Sequence, residues 1–336
     1  MSELNKIVLK ILSDGKGILA ADESNSTMSK RLEAVKVKSN EENRLLFRKT
    51  LFSSESMKSC IGGVILYDET IKQRSDTKSI PELIIDSNTI PGIKVDTGAK
   101  ILAGSDQEKI TEGLDGLRER LKEYYKLGAR FTKWRAVYLI SEKYPSKLSI
   151  HTNAHALARY SSLVQESGMV PIVEPELLMD GSHSASECFQ KTSEVIQKCF
   201  EELILHKVDL GGVILKPNMI LNGSQNKNKI KSEEVADLTL KCLKNSVPTE
   251  VLGIAFLSGG QTEVEATENL NMINKKNNTK FIMSYSYGRA LQQSALKHWS
   301  KNIDDKTGTQ NIFNHRANMC SLAAKGKWSK ELEEKI

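Results

Sequence analysis

Several short apolar runs end in charged residues that a buried strand would not choose. VPIV leads into Glu174 and Glu176, GGVIL into Lys216 and Pro217, RF into Lys133 and Arg135, and GILAA into Asp22. A charge at a strand end is ordinarily a solvated terminus. Lys133 fits that reading worst: it lies inside its run, with Arg135 two residues on, and residues two apart in a strand share a face. Glu174 and Glu176 share a face in the same way. Charges turned inward are costly unless paired or catalytic, and two lysines, an arginine, two glutamates and an aspartate nearly cancel. The lysines suggest the chemistry. An amine attacks a carbonyl only when deprotonated, a form that partial burial or a neighbouring cation favours. Lys216, stiffened by Pro217 and with Lys133 as its neighbouring cation, would form a Schiff base, an electron sink that needs no metal.

A second group of residues suggests what the lysine acts on. LSGGQ (257–261) follows one apolar run, and YGRALQQSALKHW (287–299) turns another into a helix that begins at Gly288-Arg289. Backbone N–H groups at a Gly-Gly turn such as Gly259-Gly260, and at a helix N-terminus, bind anions. Gly-Gly also marks turns in general. Its position after the seventh run, with Gly288 and Arg289 after the eighth, is where barrels hold phosphate, so a phosphorylated substrate is expected.

These groups meet only if the runs that carry them open on one mouth. The runs are GILAAD (17–22), IGGVILYDE (61–69), GIKVD (92–96), RFTKWRAV (130–137), VPIVEPE (170–176), GGVILKPN (211–218), LGIAFLSGG (252–260) and FIMSYSYGRA (281–290). None alternates strictly, which predicts strands covered on both faces, as in a parallel sheet. Between them lie helical stretches such as 113–129, 153–168 and 233–245, and the polar-faced helix EENRLLFRKTLFS. The seven intervals from Gly17 to Phe281 average about 38 residues, against about 31 per unit in an eightfold barrel of modest insertions. A doubly wound sheet alternates in the same way. The count of eight, with no break in composition, favours a single (β/α)8 barrel over residues 1–336 with an N-terminal helix and a short C-terminal arm. In such a barrel the carboxyl ends of the strands build the active site. The patch NKNKIK (226–231) and the pair Lys275, Lys276 read as solvated loops.

Composition narrows the function classes. The 336 residues carry 48 Lys+Arg and 42 Asp+Glu, a net charge of +6, with 39% apolar residues, enough for a sizeable core. Acid and base are interleaved, which argues against a nucleic-acid face and suits anionic small molecules. Cys60, Cys188, Cys199, Cys242 and Cys320 form no CxxC pair, the usage of a reducing compartment, without a disulfide framework or a structural zinc site. The N-terminus reads as an amphipathic helix, not a signal peptide, and no apolar run approaches a membrane span, so a cytoplasmic protein with no membrane partner is expected. GKGILA (15–20) leads into a strand and not out of one, so the dinucleotide reading fails. His151 and His155 have an i, i+4 spacing that could bind zinc, but the pair lacks the Glu of an HExxH motif, no third ligand stands out in the sequence, and it reads as surface.

At these same residues the chain resembles the class I, Schiff-base fructose-1,6-bisphosphate aldolases. The likeness runs through GKGILAADES (15–24), GGVILYDET (62–70), GIKVD (92–96), EGLDGLRER (112–120), KWR (133–135), VPIVEPE (170–176), ILKPNM (214–219), FLSGGQ (256–261) and SYGRALQ (286–292). The resemblance implies a (β/α)8 barrel, a homotetramer, no cofactor and no metal. It implies phosphorylated ketose and triose phosphates as ligands, in glycolysis and gluconeogenesis. Carried over by residue, it makes Lys216 the lysine that attacks the ketose C2 carbonyl, Glu174 the acid/base for carbinolamine dehydration and Asp22 the carboxylate that handles the C4 hydroxyl proton. It makes Lys133 the cation beside the Schiff base and Glu176 a supporting carboxylate. Ser258, Gly259, Gly260, Gly288 and Arg289 correspond to the site for the C1 phosphate, and Arg135, Arg31 and Thr27 to further phosphate contacts.

Two departures stand out. The family usually reads GIKVDKG where this chain has Thr97, which removes a cation that Lys100 would have to replace. Many members also end in a mobile tail whose terminal tyrosine assists enamine protonation, whereas here the last tyrosine is Tyr287 and the sequence ends WSKELEEKI. Other readings stay beside this one: another phosphorylated ketose as substrate, a zinc-dependent aldolase that the few histidines disfavour, or an added scaffold role for cytoskeletal or other acidic protein partners.

Overall fold

A computed structural model describes residues 2–334. Among these residues eight parallel strands close into a barrel: β1 (Gly17–Ala21), β2 (Ile61–Leu66), β3 (Ile90–Lys94), β4 (Phe131–Tyr138), β5 (Val170–Leu177), β6 (Ile214–Leu215), β7 (Gly253–Phe256) and β8 (Ile282–Tyr287). Each strand pairs with its sequence neighbours, and β8 closes on β1. The expected (β/α)8 architecture is therefore the one found. The missing apolar/polar alternation has its predicted cause, since every residue of β1, β2, β5 and β7 is buried.

Two apolar layers hold the strands. Ile18, Ile65, Phe131, Ile172, Ile214 and Ala255 fill the interior together with Val8, Ile11 and Leu12 of the helix Glu3–Leu12. That helix closes the amino end of the barrel, where Gly62 lets the chains touch: a Cβ there would sit 1.9 Å from the Ile11 carbonyl oxygen. The outward residues, Trp134 and Tyr138 of β4 among them, join the helices in the larger core.

The polar-faced helix, Glu41–Phe52, carries a fully buried Arg48 on that face. Lys275 and Lys276 are not in a loop but in the last turn of the helix Glu263–Lys276. There cations offset the partial negative charge of the unpaired carbonyls, and Lys276 also pairs with Asp237 at 2.8 Å. The patch at 226–231 is a loop, as expected. A two-stranded hairpin, Gly98–Ile101 with Lys109–Glu112, grows from the end of β3 beside the mouth. In the C-terminal arm the helix Lys306–Ala324 precedes a short helix, Lys330–Glu333, held by an Arg316–Glu333 ion pair and by Trp328 Nε1, which donates to Glu333 at 2.9 Å. The last two positions of that arm lie outside the described residues. Among the described residues no helix is long and apolar enough to cross a membrane.

Candidate active site

Alternation along β4 and β5 decides which side chains enter the barrel. Lys133, Arg135 and Val137 face a cavity of about 960 Å³ at the carboxyl end, as do Glu174 and Glu176. The register sets Arg135 opposite Glu174 and Val137 opposite Glu176. Lys216 follows β6, with its amide donating to the Val173 carbonyl at 2.8 Å, and Asp22 follows β1. The strand ends therefore bring together all six of the charged residues marked in the sequence.

At the cavity floor these groups form a chain of ion pairs. Lys216 Nζ lies 2.9 Å from Glu174 Oε1, Lys133 Nζ lies 3.4 Å from Glu174 Oε2, and Lys133 Nζ also lies 2.7 Å from Asp22 Oδ2. Burial alone would push the Asp22 carboxyl up, but Lys133, Lys216 and Lys94 outweigh it and hold it at about 2. Burial opposes the charge on Lys133 as well, and Asp22, Glu174 and Asp96 together raise its pKa. Glu174 is pushed up by burial and pulled down further by Lys216, Lys133 and Arg135, so it rests as a carboxylate. Glu176 pairs with Arg135. The charges at the floor are thus buried but paired, the condition under which inward charges are tolerated.

Further up the wall, Ser258, Gly259, Gly288 and Arg289 line the cavity. Gly288 caps the helix Arg289–Trp299, whose first N–H groups have no intrahelical acceptor and carry partial positive charge. Ser286 Oγ is buried there with no hydrogen-bond partner among the described residues. Gly260 is the exception among the expected phosphate ligands and falls outside the cavity. It has φ +76°, and a Cβ there would lie 2.7 Å from Met179, so its part is to make the turn that presents Ser258 and Gly259.

Thr27 and Arg31 line the other side, on the helix Asn25–Ala34. Arg31 pairs with Glu23 through Nη1, while its Nε and Nη2 are buried without an acceptor among the described residues. Donors in that state suit an anion brought by a ligand. Behind them Arg48 donates to the Glu23 carbonyl at 2.8 Å and to Thr70 Oγ1 at 2.6 Å. This support is invisible to strand-end reasoning because it comes from a helix 25 residues away in sequence.

Sequence reasoning also missed Lys94 and Asp96, which pair at 2.6 Å and line the cavity beside Thr97. The signal was present, since GIKVD puts two charges two residues apart at a strand end just as KWR and EPE do. Lys100 sits exposed on the hairpin outside the cavity lining, whereas Lys94 lines the cavity with Thr97. Tyr287 lies in the outer core, where its hydroxyl donates to the Ala266 carbonyl at 2.9 Å.

The family model described as fructose-bisphosphate aldolase class-I matches residues 3–336. A protein of Xanthomonas campestris pv. campestris called "Probable fructose-bisphosphate aldolase class 1" is 47% identical over 333 residues, 98% of this chain and 99% of that protein. Fructose-bisphosphate aldolase C of Carassius auratus is 47% identical over 329 residues, 97% of this chain and 91% of its own. A solved structure of fructose-bisphosphate aldolase from Plasmodium falciparum, in complex with TRAP and a small-molecule inhibitor, superposes with a TM-score of 0.95 at 43% identity, covering 97% of this chain and 95% of that one.

Proposed function

The chain belongs to the class I fructose-bisphosphate aldolase family, and on that premise we propose that Lys216 is its Schiff-base lysine, served by Glu174, Asp22, Lys133 and Glu176. The protein is a lyase that cleaves fructose 1,6-bisphosphate reversibly to dihydroxyacetone phosphate and glyceraldehyde 3-phosphate, a reaction of glycolysis and gluconeogenesis. The observation that carries the residue assignment is the Lys216–Glu174–Lys133–Asp22 chain of contacts at the floor of a cavity with cationic walls.

In the proposed sequence Glu174 takes a proton from the Lys216 ammonium at 2.9 Å. The free amine attacks the ketose C2, and the carbinolamine hydroxyl leaves as water with a proton returned by Glu174. Asp22, anionic at neutral pH, accepts the C4 hydroxyl proton as the C3–C4 bond breaks. The bonding pair moves to C2–C3 and neutralises the iminium as an enamine, and the aldehyde product departs. Protonation at C3 and hydrolysis release the second triose phosphate. Lys133 keeps the two carboxylates apart in role by bridging them, and Glu176 holds Arg135 at the wall.

Phosphate binding is assigned to Ser258, Gly259, Gly288 and Arg289 at one end and to Arg31, Thr27 and Arg135 at the other. A cytoplasmic homotetramer, the family's usual form, is part of the proposal, and light scattering on the purified protein checks the assembly. Treatment with dihydroxyacetone phosphate and borohydride should leave one covalent adduct on Lys216. An adduct on another lysine, or none, would reject the assignment. A docking role for protein partners, as an addition to catalysis, is supported by the Plasmodium relative seen in complex with TRAP. A Lys216→Ala protein that loses cleavage and keeps a cellular role would separate the two.

A further inference from the structure

The paired histidines that catalysis leaves unused lie on the helix Lys147–Glu166, and the next helix, Ala185–Leu205, supplies what the pair lacks. Glu202 of that helix turns inward, its side chain only 5% exposed, between His151 and His155. His151 Nδ1 is 3.5 Å from Glu202 Oε1, and His155 Nδ1 is 3.4 Å from Glu202 Oε2. His206, which caps the same helix, brings its ring centroid to 5.0 Å from that of His155. One ligating atom each of His155, Glu202 and His206 lies within 4.8 Å of the other two.

We propose that His155, Glu202 and His206 form a binding site for a divalent first-row transition-metal ion, zinc foremost, that ties these two helices together. Two imidazoles and a carboxylate are a zinc-type donor set. His206 offers one ring nitrogen to a metal. Its Nδ1 lies 2.8 Å from the Glu202 main-chain carbonyl, which can only accept, so the proton is on Nδ1 and the Nε2 lone pair is free. A backbone carbonyl behind a ligand histidine is the usual outer support of such sites. Tetrahedral zinc with bonds of about 2.0–2.1 Å spaces its donors about 3.3 Å apart, so the side chains must close by roughly 1.5 Å. His155, 47% exposed, has the freedom to do so, and the fourth position falls to water or to the neighbouring His151. Lys198 is the competitor: its Nζ sits 3.2 Å from Glu202 Oε1 and offsets the carboxylate charge, leaving Oε2 toward His155. None of these residues lines the catalytic cavity, so the site is structural.

The test is zinc titration of the metal-stripped full-length protein by calorimetry, with cobalt as a spectroscopic substitute. One ion should bind saturably per chain, cobalt should give a tetrahedral-type visible band, and zinc should raise the melting temperature. His155→Ala and His206→Gln should each weaken binding at least about tenfold. Lys198→Met should tighten it, because the competing cation is gone, whereas His298→Ala, a histidine paired elsewhere with Asp305, should change nothing. Failure of the unmodified protein to bind saturably, equal binding by the His155 and His206 variants, or no gain in Lys198→Met would overturn the site. The cobalt band of the unmodified protein decides the matter even where a variant folds poorly.

Discussion

Replacing Lys133 by methionine preserves much of the side-chain volume and removes one charge from a balanced set. Four cations, Lys94, Lys133, Arg135 and Lys216, face four carboxylates, Asp22, Asp96, Glu174 and Glu176, so the variant leaves the floor with one uncompensated negative charge. Asp22 loses its 2.7 Å partner and Glu174 its 3.4 Å partner. In the parent protein the folded Asp22 carboxyl is at about 2 against an ordinary 3.8. A depressed acid contributes stability that is present above the unfolded value and lost as pH falls through the folded one, here about 2–3 kcal/mol at about 1.4 kcal/mol per pH unit. Without Lys133, burial is opposed by Lys216 and Lys94 alone, so the carboxyl rises and the stability drawn from its depressed value shrinks. Breaking a buried pair by removing one partner costs about 3–5 kcal/mol. At about 2 °C per kcal/mol for a chain of this size, the melting temperature should fall roughly 6–10 °C at pH 7. Melting curves of both proteins from pH 4 to 8 test the reasoning, because the gap should narrow toward pH 4 as the variant protonates its stranded carboxylates. A gap that is constant across that range, or below about 2 °C at pH 7, would show that Lys133 does not hold the carboxylates in their charged state.

Other expectations follow from the same geometry. Glu174→Gln keeps the shape beside Lys216 but cannot carry its proton, so kcat should fall by about 10²–10⁴ and borohydride trapping should slow in parallel; a near-normal kcat would remove Glu174 from proton transfer. Thr97→Lys adds a cation to the cavity rim where Thr97 is exposed. The KM for fructose 1,6-bisphosphate should drop roughly three- to tenfold, the worth of one partly exposed charge-assisted contact, with little change for a monophosphate ketose. Arg48→Met removes the support behind Glu23 and Arg31. Because Arg48 does not reach the cavity, KM should rise about tenfold while kcat holds, and the melting temperature should fall as for any broken buried pair. Equal losses in kcat and KM would instead place Arg48 among the catalytic groups.

Much of the site was legible because strands have a period of two. Lys133 with Arg135, and Glu174 with Glu176, declare a shared face in the sequence, and the barrel merely honours it. Lys94 and Asp96 obey the same rule, so their shared face too is written in the sequence. Gly260 shows a different limit. The pair Gly259-Gly260 marks a turn, but only the turn's hand, φ +76° at Gly260, decides that the first glycine faces the cavity and the second faces Met179.

What the sequence determined by itself was the set of strands, their number, and which charged side chains point inward, because burial on both faces and period-two alternation are properties of neighbours along the chain. What only the tertiary structure decided was who meets whom across it. Lys216 finds Glu174, Lys133 finds Asp22, Arg48 reaches from its helix to Glu23 in the loop after β1, and Glu202 and His206 arrive beside a histidine pair that had no third ligand. Those meetings depend on barrel closure and on helix packing between segments tens to more than a hundred residues apart. No local pattern encodes that distance, and the pairing energies that make buried charge tolerable exist only once it has been closed.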